Sequence, residues 1–236
     1  MERISPDAGP SYLLDCDLFS DAGEEQATML SRIPQKPGDY ADRSYWQERY
    51  RAEEGVSYDW YGCSFDDFWS EARKACLSNK YVQALEIGSG NSEWSRLAAN
   101  RGWQITSTDI DWGVLRAQDQ NGYNGIEKLA VDARRLPFAD GCFDVAFEKG
   151  TLDAISCGAC GQSNVASVAL ELLRCLRLGG VFFLVTAKEP SGFLSIAHAT
   201  HLRTRNKDWT GNYSWQAQAS VSKGGVWIVA LVKKVR

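Results

Sequence analysis

An α/β fold, a doubly wound sheet that ends in an antiparallel hairpin, is what the sequence predicts, on three observations. Strand-like and helix-like text alternates from residue 81 to residue 187, as β-α units do. Each strand-like run is a short apolar stretch bounded by a turn or an acid, the form expected of strands buried on both faces. Two further runs, 213–221 and 226–234, flank Ser222-Lys-Gly-Gly225, a hairpin turn that adds a reversed edge to the sheet. Seven strands result.

Taken in order, residues 1–36 mix Pro, Gly, Asp and Glu without sustained periodicity and are expected to form a loosely packed N-terminal arm, with one domain over 37–236. DYADRSYWQERYRAEEGVSYDWYG then packs Tyr45, Trp46, Tyr50, Tyr58, Trp60 and Tyr61 among charges. By spacing alone this is an amphipathic helix with its aromatic stripe laid on a core. SFDDFWSEARKACLS reads as a second helix, N-capped by Ser64, with acids in its first turn and a basic pair further along. YVQALEI (81–87) runs through GSGNS into the helical EWSRLAANRG, and QITSTDI (104–110) ends on acid before the helical DWGVLRAQDQNG. A short third strand precedes Asp132, and CFDVAFEKG (142–150) is the fourth. SNVASVALELLRCLRLGG reads as a helix stopped by its two glycines, followed by the fifth strand VFFLVTA (181–187).

Bulk properties narrow the function classes. The chain has 236 residues, 44% of them hydrophobic, enough for one sizeable core. A net charge of −4, a pI near 5.3 and the lack of a dense Lys/Arg run argue against nucleic acid as a partner. An acidic surface favours a basic acceptor instead. No apolar run approaches the ~20 residues of a membrane span, and the acidic N-terminus is unlike a targeting peptide. Seven scattered cysteines in a core-forming chain point to reduced thiols, so a cytoplasmic location is expected. Cys157 and Cys160 lack a second ligand pair for zinc and are read as thiols without chemistry.

Ligands of doubly wound sheets bind at the carboxyl ends of the strands. After strand one, Glu86-Ile-Gly88-Ser-Gly90-Asn91-Ser92 offers glycines that let backbone approach a ligand, ahead of a helix N-terminus. After strand two, Asp109 stands where a carboxylate can accept from two ribose hydroxyls. After strand three, Asp132 is placed to accept from an adenine amine and the Ala133 amide to serve a ring nitrogen. Glu148-Lys149-Gly150 closes strand four, and taken alone such a charge pair is an ordinary surface feature worth under about 1 kcal/mol.

This combination resembles the class I S-adenosylmethionine-dependent methyltransferases, whose Rossmann-like seven-stranded sheet has a reversed terminal strand. With Asp39-Tyr-Ala-Asp-Arg-Ser-Tyr-Trp-Gln-Glu-Arg-Tyr50, Tyr58-Asp-Trp-Tyr61 and Glu148-Lys-Gly-Thr-Leu-Asp-Ala154, it is similar to the eukaryotic protein-lysine methyltransferases that include the elongation factor 1-alpha lysine methyltransferases and a citrate synthase enzyme. The resemblance runs from about Pro37 to the C-terminus and covers Arg203-Thr-Arg205. It implies S-adenosylmethionine as cofactor and a protein substrate, such as a translation elongation factor. By the same resemblance Trp46, Tyr50 and Trp60 cover the cofactor, and the loop of Gly88 and Gly90 meets its amino acid end. Asp109 holds the ribose with Ile110 beside the adenine, Asp132 and Ala133 read the adenine edge, and Lys149 touches the cofactor.

Methyl transfer asks the protein chiefly to align donor and acceptor and to exclude water, while an apolar, aromatic pocket disfavours the ammonium form of a lysine acceptor. Glu148 is the expected catalytic residue, orienting the amine. His198 and His201 are read as ordinary loop histidines. Two other classes share the fold: a small-molecule methyltransferase, which would bury its acceptor, and a non-catalytic binding module, which Gly88, Asp109 and Asp132 argue against.

Overall fold

The computed structural model describes residues 34, 36–53, 56–75, 81–120, 125–204, 213–221 and 225–235. Nearly all of the expected arm, residues 222–224 of the hairpin turn, Arg205 and the side chains of His201 and Arg203 lie outside the described residues. Seven strands form one sheet: β1 (Val82–Ile87), β2 (Trp103–Asp109), β3 (Glu127–Ala130), β4 (Phe143–Lys149), β5 (Leu176–Thr186), β6 (Tyr213–Val221) and β7 (Trp227–Val235). Their order is β3-β2-β1-β4-β5-β7-β6. The first five run parallel, and β7 lies antiparallel to both β5 and β6. The doubly wound sheet with a reversed hairpin is therefore present as expected.

Helices cover both faces, which is why the central strands carry nearly unbroken apolar text. On one face α2 (Phe65–Ala75) and α3 (Trp94–Asn100) pack on Ala84, Val145, Phe147 and Phe183. Phe68 is the centre of that core: fully buried, it stacks on Trp94 at 4.9 Å and meets Phe147 and Phe183 at 5.2 and 5.5 Å. On the other face α5 (Thr151–Ser156), α6 (Gly161–Cys175) and α7 (Ser191–Thr204) cover Leu85, Ala146, Phe182 and Leu184. α4 (Trp112–Gln120) packs on β2 and β3, and α1 (Arg43–Ala52) rests beside it. Ser64 caps α2 as expected, accepting from the Asp67 amide at 3.1 Å.

Three elements differ from the sequence reading. α6 stops at Cys175, and Leu176 already belongs to β5, paired with Phe143; the register then shifts to pair Val145 with Val181. Gly179, at φ 76°, and Gly180 thus serve an irregular strand entry and not a helix cap. A Cβ on Gly180 would stand 2.8 Å from the Arg177 carbonyl oxygen. α5 was hidden in what reads as a loop. α7 was missed because Gly192, Ser195, His198 and Thr200 interrupt its apolar residues, although Ala197 is buried and Phe193 and Ile196 pack on the second core.

Phe68→Ala should cost about 3–5 kcal/mol of stability, because five aromatic neighbours are left facing a cavity. Urea unfolding with an unchanged slope and a lowered midpoint would report it.

Candidate active site

A cavity of about 250 Å³ opens at the carboxyl ends of β1, β2 and β4, beside the point where strand order reverses. Its floor is the loop after β1. Gly88 and Gly90 hold φ values of 61° and 54°, conformations that favour glycine, and a side chain at either would press on a neighbour. A Cβ on Gly88 would fall 2.2 Å from the Thr151 hydroxyl, and one on Gly90 3.0 Å from the Tyr50 hydroxyl. Gln118 of α4 fastens the loop, donating to the Ser89 hydroxyl and the Gly90 carbonyl.

Asp109 ends β2 and lines the cavity, 5% exposed. Its carboxylate accepts from the Gly90 amide and the Asp111 amide, each at 2.9 Å, so two strand-end loops are held by one side chain. Burial pushes its pKa up to about 6, against the lowering effect of these amides. Glu86, on the cavity wall behind the glycines, is pushed up to about 8 by burial although Ser95 donates to it. Ile110, Asp132 and Ala133 also line the cavity, as the sequence reading has them. Asp132 has an unforeseen partner: Arg134, whose backbone amide and guanidinium both donate to its carboxylate and hold its pKa low.

The aromatic segment forms a wall of its own. Trp46 and Tyr50 of α1 and Trp60 line the cavity and, with Tyr40, contact each other at 5.7 to 6.4 Å. None of these four belongs to either core cluster, which corrects the reading of the segment as a core stripe. Beneath them Arg49 is 4% exposed, pairs with Glu53 at 2.9 Å and lays its guanidinium 4.5 Å from the Trp60 ring. Glu53 in turn accepts from Asn91 of the glycine loop at 3.1 Å. A buried ion pair thereby connects the aromatic wall to the floor.

Strand alternation separates the pair at the end of β4. Lys149 turns toward the first core, its ammonium against the Asp59 carboxylate and 4.4 Å from the Trp94 ring; it lines the cavity, and burial lowers its pKa. Glu148 turns the other way. It is fully buried under α5, accepts from the Leu152 amide at 3.0 Å and, unlike the other expected residues, does not line the cavity. Burial, with Asp153 adding repulsion, pushes its carboxyl well above the usual range. Its direction was readable by counting alternate positions from Val145, whereas Tyr61 and Asp153, which also line the cavity, meet across 92 positions that local text cannot join. His198 is exposed and away from the cavity lining. Among the described residues no cluster suited to a metal ion occurs, and no helix is long and apolar enough to cross a membrane.

Residues 85–184 match a family model described as a methyltransferase domain. The chain is 30% identical to the EEF1A lysine methyltransferase 4 of Mus musculus over 82% of its own length and 75% of that relative, and 29% identical to the Bos taurus protein of the same name over 84% and 77%. It is 28% identical to the eEF1A lysine and N-terminal methyltransferase of Danio rerio, of which it spans a quarter. Among solved structures, a 1,6-didemethyltoxoflavin-N1-methyltransferase from Burkholderia thailandensis with bound S-adenosylhomocysteine gives a TM-score of 0.55 at 16% identity over 90% of both chains. A TehB-like SAM-dependent methyltransferase from Corynebacterium glutamicum gives 0.54 at 15% identity over 82% of this chain and 97% of that one. At these identities the structural likeness speaks for the fold.

Glu86 supplies a pH test of the floor. Its folded pKa near 8 lies above the unfolded carboxyl value, so its stabilising contribution is complete at acid pH, falls as pH rises above about 4.5 and is lost by about pH 8. Relative to wild type, Glu86→Gln should therefore be of similar stability at pH 4.5 and more stable by roughly 3–5 kcal/mol at pH 8.5, read by urea unfolding at the two pH values.

Proposed function

The chain belongs to the eEF1A lysine methyltransferase family of S-adenosylmethionine-dependent enzymes, and from that premise we propose that it methylates a lysine side chain of translation elongation factor 1-alpha. The observation that carries this reading is the cavity floor: two glycines at positive φ, next to a buried carboxylate that spans two strand-end loops. Such a floor suits S-adenosylmethionine. Each Asp109 oxygen accepts one backbone amide and keeps a further lone pair for a ribose hydroxyl. Gly88 and Gly90 bring bare backbone to the amino acid end, Ile110 and Ala133 flank the adenine, and Trp46, Tyr50 and Trp60 close over the ligand with π faces suited to a cation. Asp132 and the Ala133 amide read the adenine edge, with Arg134 fixing the Asp132 carboxylate in place.

The cofactor supplies an activated methyl group on a sulfonium. The protein supplies alignment and a dry, aromatic setting in which a lysine gives up its proton more readily than in water. Lys149, clamped by Asp59 and Trp94, stiffens the wall next to the transferring group. Glu148 acts at one remove in this reading: by capping the first turn of α5 it orients the segment from Thr151 to Asp153. The reaction takes place in the cytoplasm, a compartment that suits the reduced thiols of Cys142, Cys157, Cys160 and Cys175.

Incubating the protein with radiolabelled S-adenosylmethionine and purified elongation factor 1-alpha should label the factor on lysine; label confined to small molecules would favour the small-molecule alternative, and no label anywhere would favour the binding module. Asp109→Ala should weaken cofactor binding at least about a hundredfold by calorimetry, since two hydrogen bonds to a charged acceptor contribute about 1.5–3 kcal/mol each. Trp46→Ala should weaken the same binding while leaving the urea midpoint close to wild type, because Trp46 stands outside both cores.

A further inference from the structure

One carboxylate of the EKGTLDA segment has no task in the reaction as described so far. Asp153 is 8% exposed, lines the cavity, and belongs to no ion pair among the described residues. Its Oδ2 accepts from the Tyr61 hydroxyl at 2.7 Å, and both its oxygens accept from the Thr186 hydroxyl at 2.8 Å. Lys188, on the same side of α5, bonds instead to the Asp153 carbonyl oxygen and the Ser156 hydroxyl. Tyr61 is unusual in its backbone: at φ 71° it is the one non-glycine residue with positive φ among those described. A tyrosine held there is strained, and such strain persists only where the surroundings impose it. Gly150 makes space for its hydroxyl, which lies 2.9 Å from where a Cβ at that position would stand.

Position decides what this pair can reach. Thr151 rests against Gly88 on the cavity floor, and Gly150, its neighbour in the chain, abuts the Tyr61 hydroxyl. The Tyr61–Asp153 pair is thus one residue along from the loop taken to hold the amino acid end of the cofactor, the end that carries the methyl group. Resting on the methyl-transfer reading, we propose that Tyr61 and Asp153 form the seat for the acceptor lysine's nitrogen. The phenolic proton is committed to Asp153, so the lone pairs of the Tyr61 oxygen are left to accept an N–H from the incoming amine. Asp153, whose pKa burial raises, draws the lysine ammonium to this wall; the ammonium then gives its proton to solvent, and the neutral amine, held through one N–H by the Tyr61 oxygen, is the form that takes the methyl group. Burial, reinforced by Asp153, keeps the Tyr61 hydroxyl protonated and so keeps this direction fixed. The strain at Tyr61 fits the same picture, since the ring is turned toward the cavity at the expense of its backbone.

The test uses the full chain with purified elongation factor 1-alpha. Tyr61→Phe removes one oxygen and Asp153→Asn one charge, and both should bind S-adenosylmethionine within about twofold of wild type by calorimetry. Each should lose roughly 10–100-fold in kcat/KM for the elongation factor, the effect of one hydrogen bond to a charged group, with KM raised. Mass spectrometry of the target lysine should show an altered ratio of mono-, di- and trimethyl forms, a readout that a tether confined to folding would not move. Tyr61→Phe with wild-type kcat, KM and methyl ratio overturns the seat, and this variant decides the matter should Asp153→Asn fail to fold. A wild-type protein that binds cofactor yet labels no lysine overturns the reading of the reaction itself, and the seat with it.

Discussion

Two parallel strands with both faces buried leave their last residues no solvent to turn to. At the reversal between β1 and β4 every side chain must therefore find a protein partner or a ligand. Asp109 answers with two backbone amides, Glu148 with the first turn of α5, Lys149 with Asp59 and an indole face, and Glu86 with a serine. Each solution pins a loop. The cavity is the space those pinned loops enclose, so its shape follows from how the strand-end charges are satisfied.

That logic explains what was legible in the sequence. Strand ends, glycine turns and acids at fixed offsets are local text, so the sheet, the Gly88–Gly90 loop, Asp109, Asp132 and Ala133 could be read from it, whereas Ile110 came only with the family resemblance. Glu148 was expected to orient the amine, whereas two-residue alternation from Val145 sends it under α5 and Lys149 toward the cavity. Arg134 on Asp132 was two residues away and still missed, because an arginine after an acid is common surface text. Tyr61 and Asp153 could not be paired at all: their contact is a product of tertiary assembly, 92 positions apart.

The aromatic wall shows why spacing alone misassigned the segment. Aromatic residues at helical intervals normally feed a core, and Tyr40 and Tyr58 are indeed buried. Here Tyr58 and Trp60 cover a guanidinium and not a sheet. Arg49 needs Glu53 to be tolerated inside, Glu53 also holds Asn91, and the chain of contacts ends in the glycine loop. A charge pair thus does for the wall what apolar packing does for α2 and α3.

This difference in cement has a consequence for motion. Elements held by wide apolar contact open only when the molecule unfolds, while a wall fastened by a few polar bonds can detach at a much smaller free energy. The described residues of this wall are secured by the Arg49–Glu53–Asn91 chain and by Asp59 on Lys149 and Trp94, and Tyr61 beyond them by Asp153. Hydrogen exchange of its described residues should therefore report a separate, lower-energy opening than that of β1 and β4. A reactant larger than the cavity mouth then gains entry by local release of one wall, with the sheet and its pinned loops left standing.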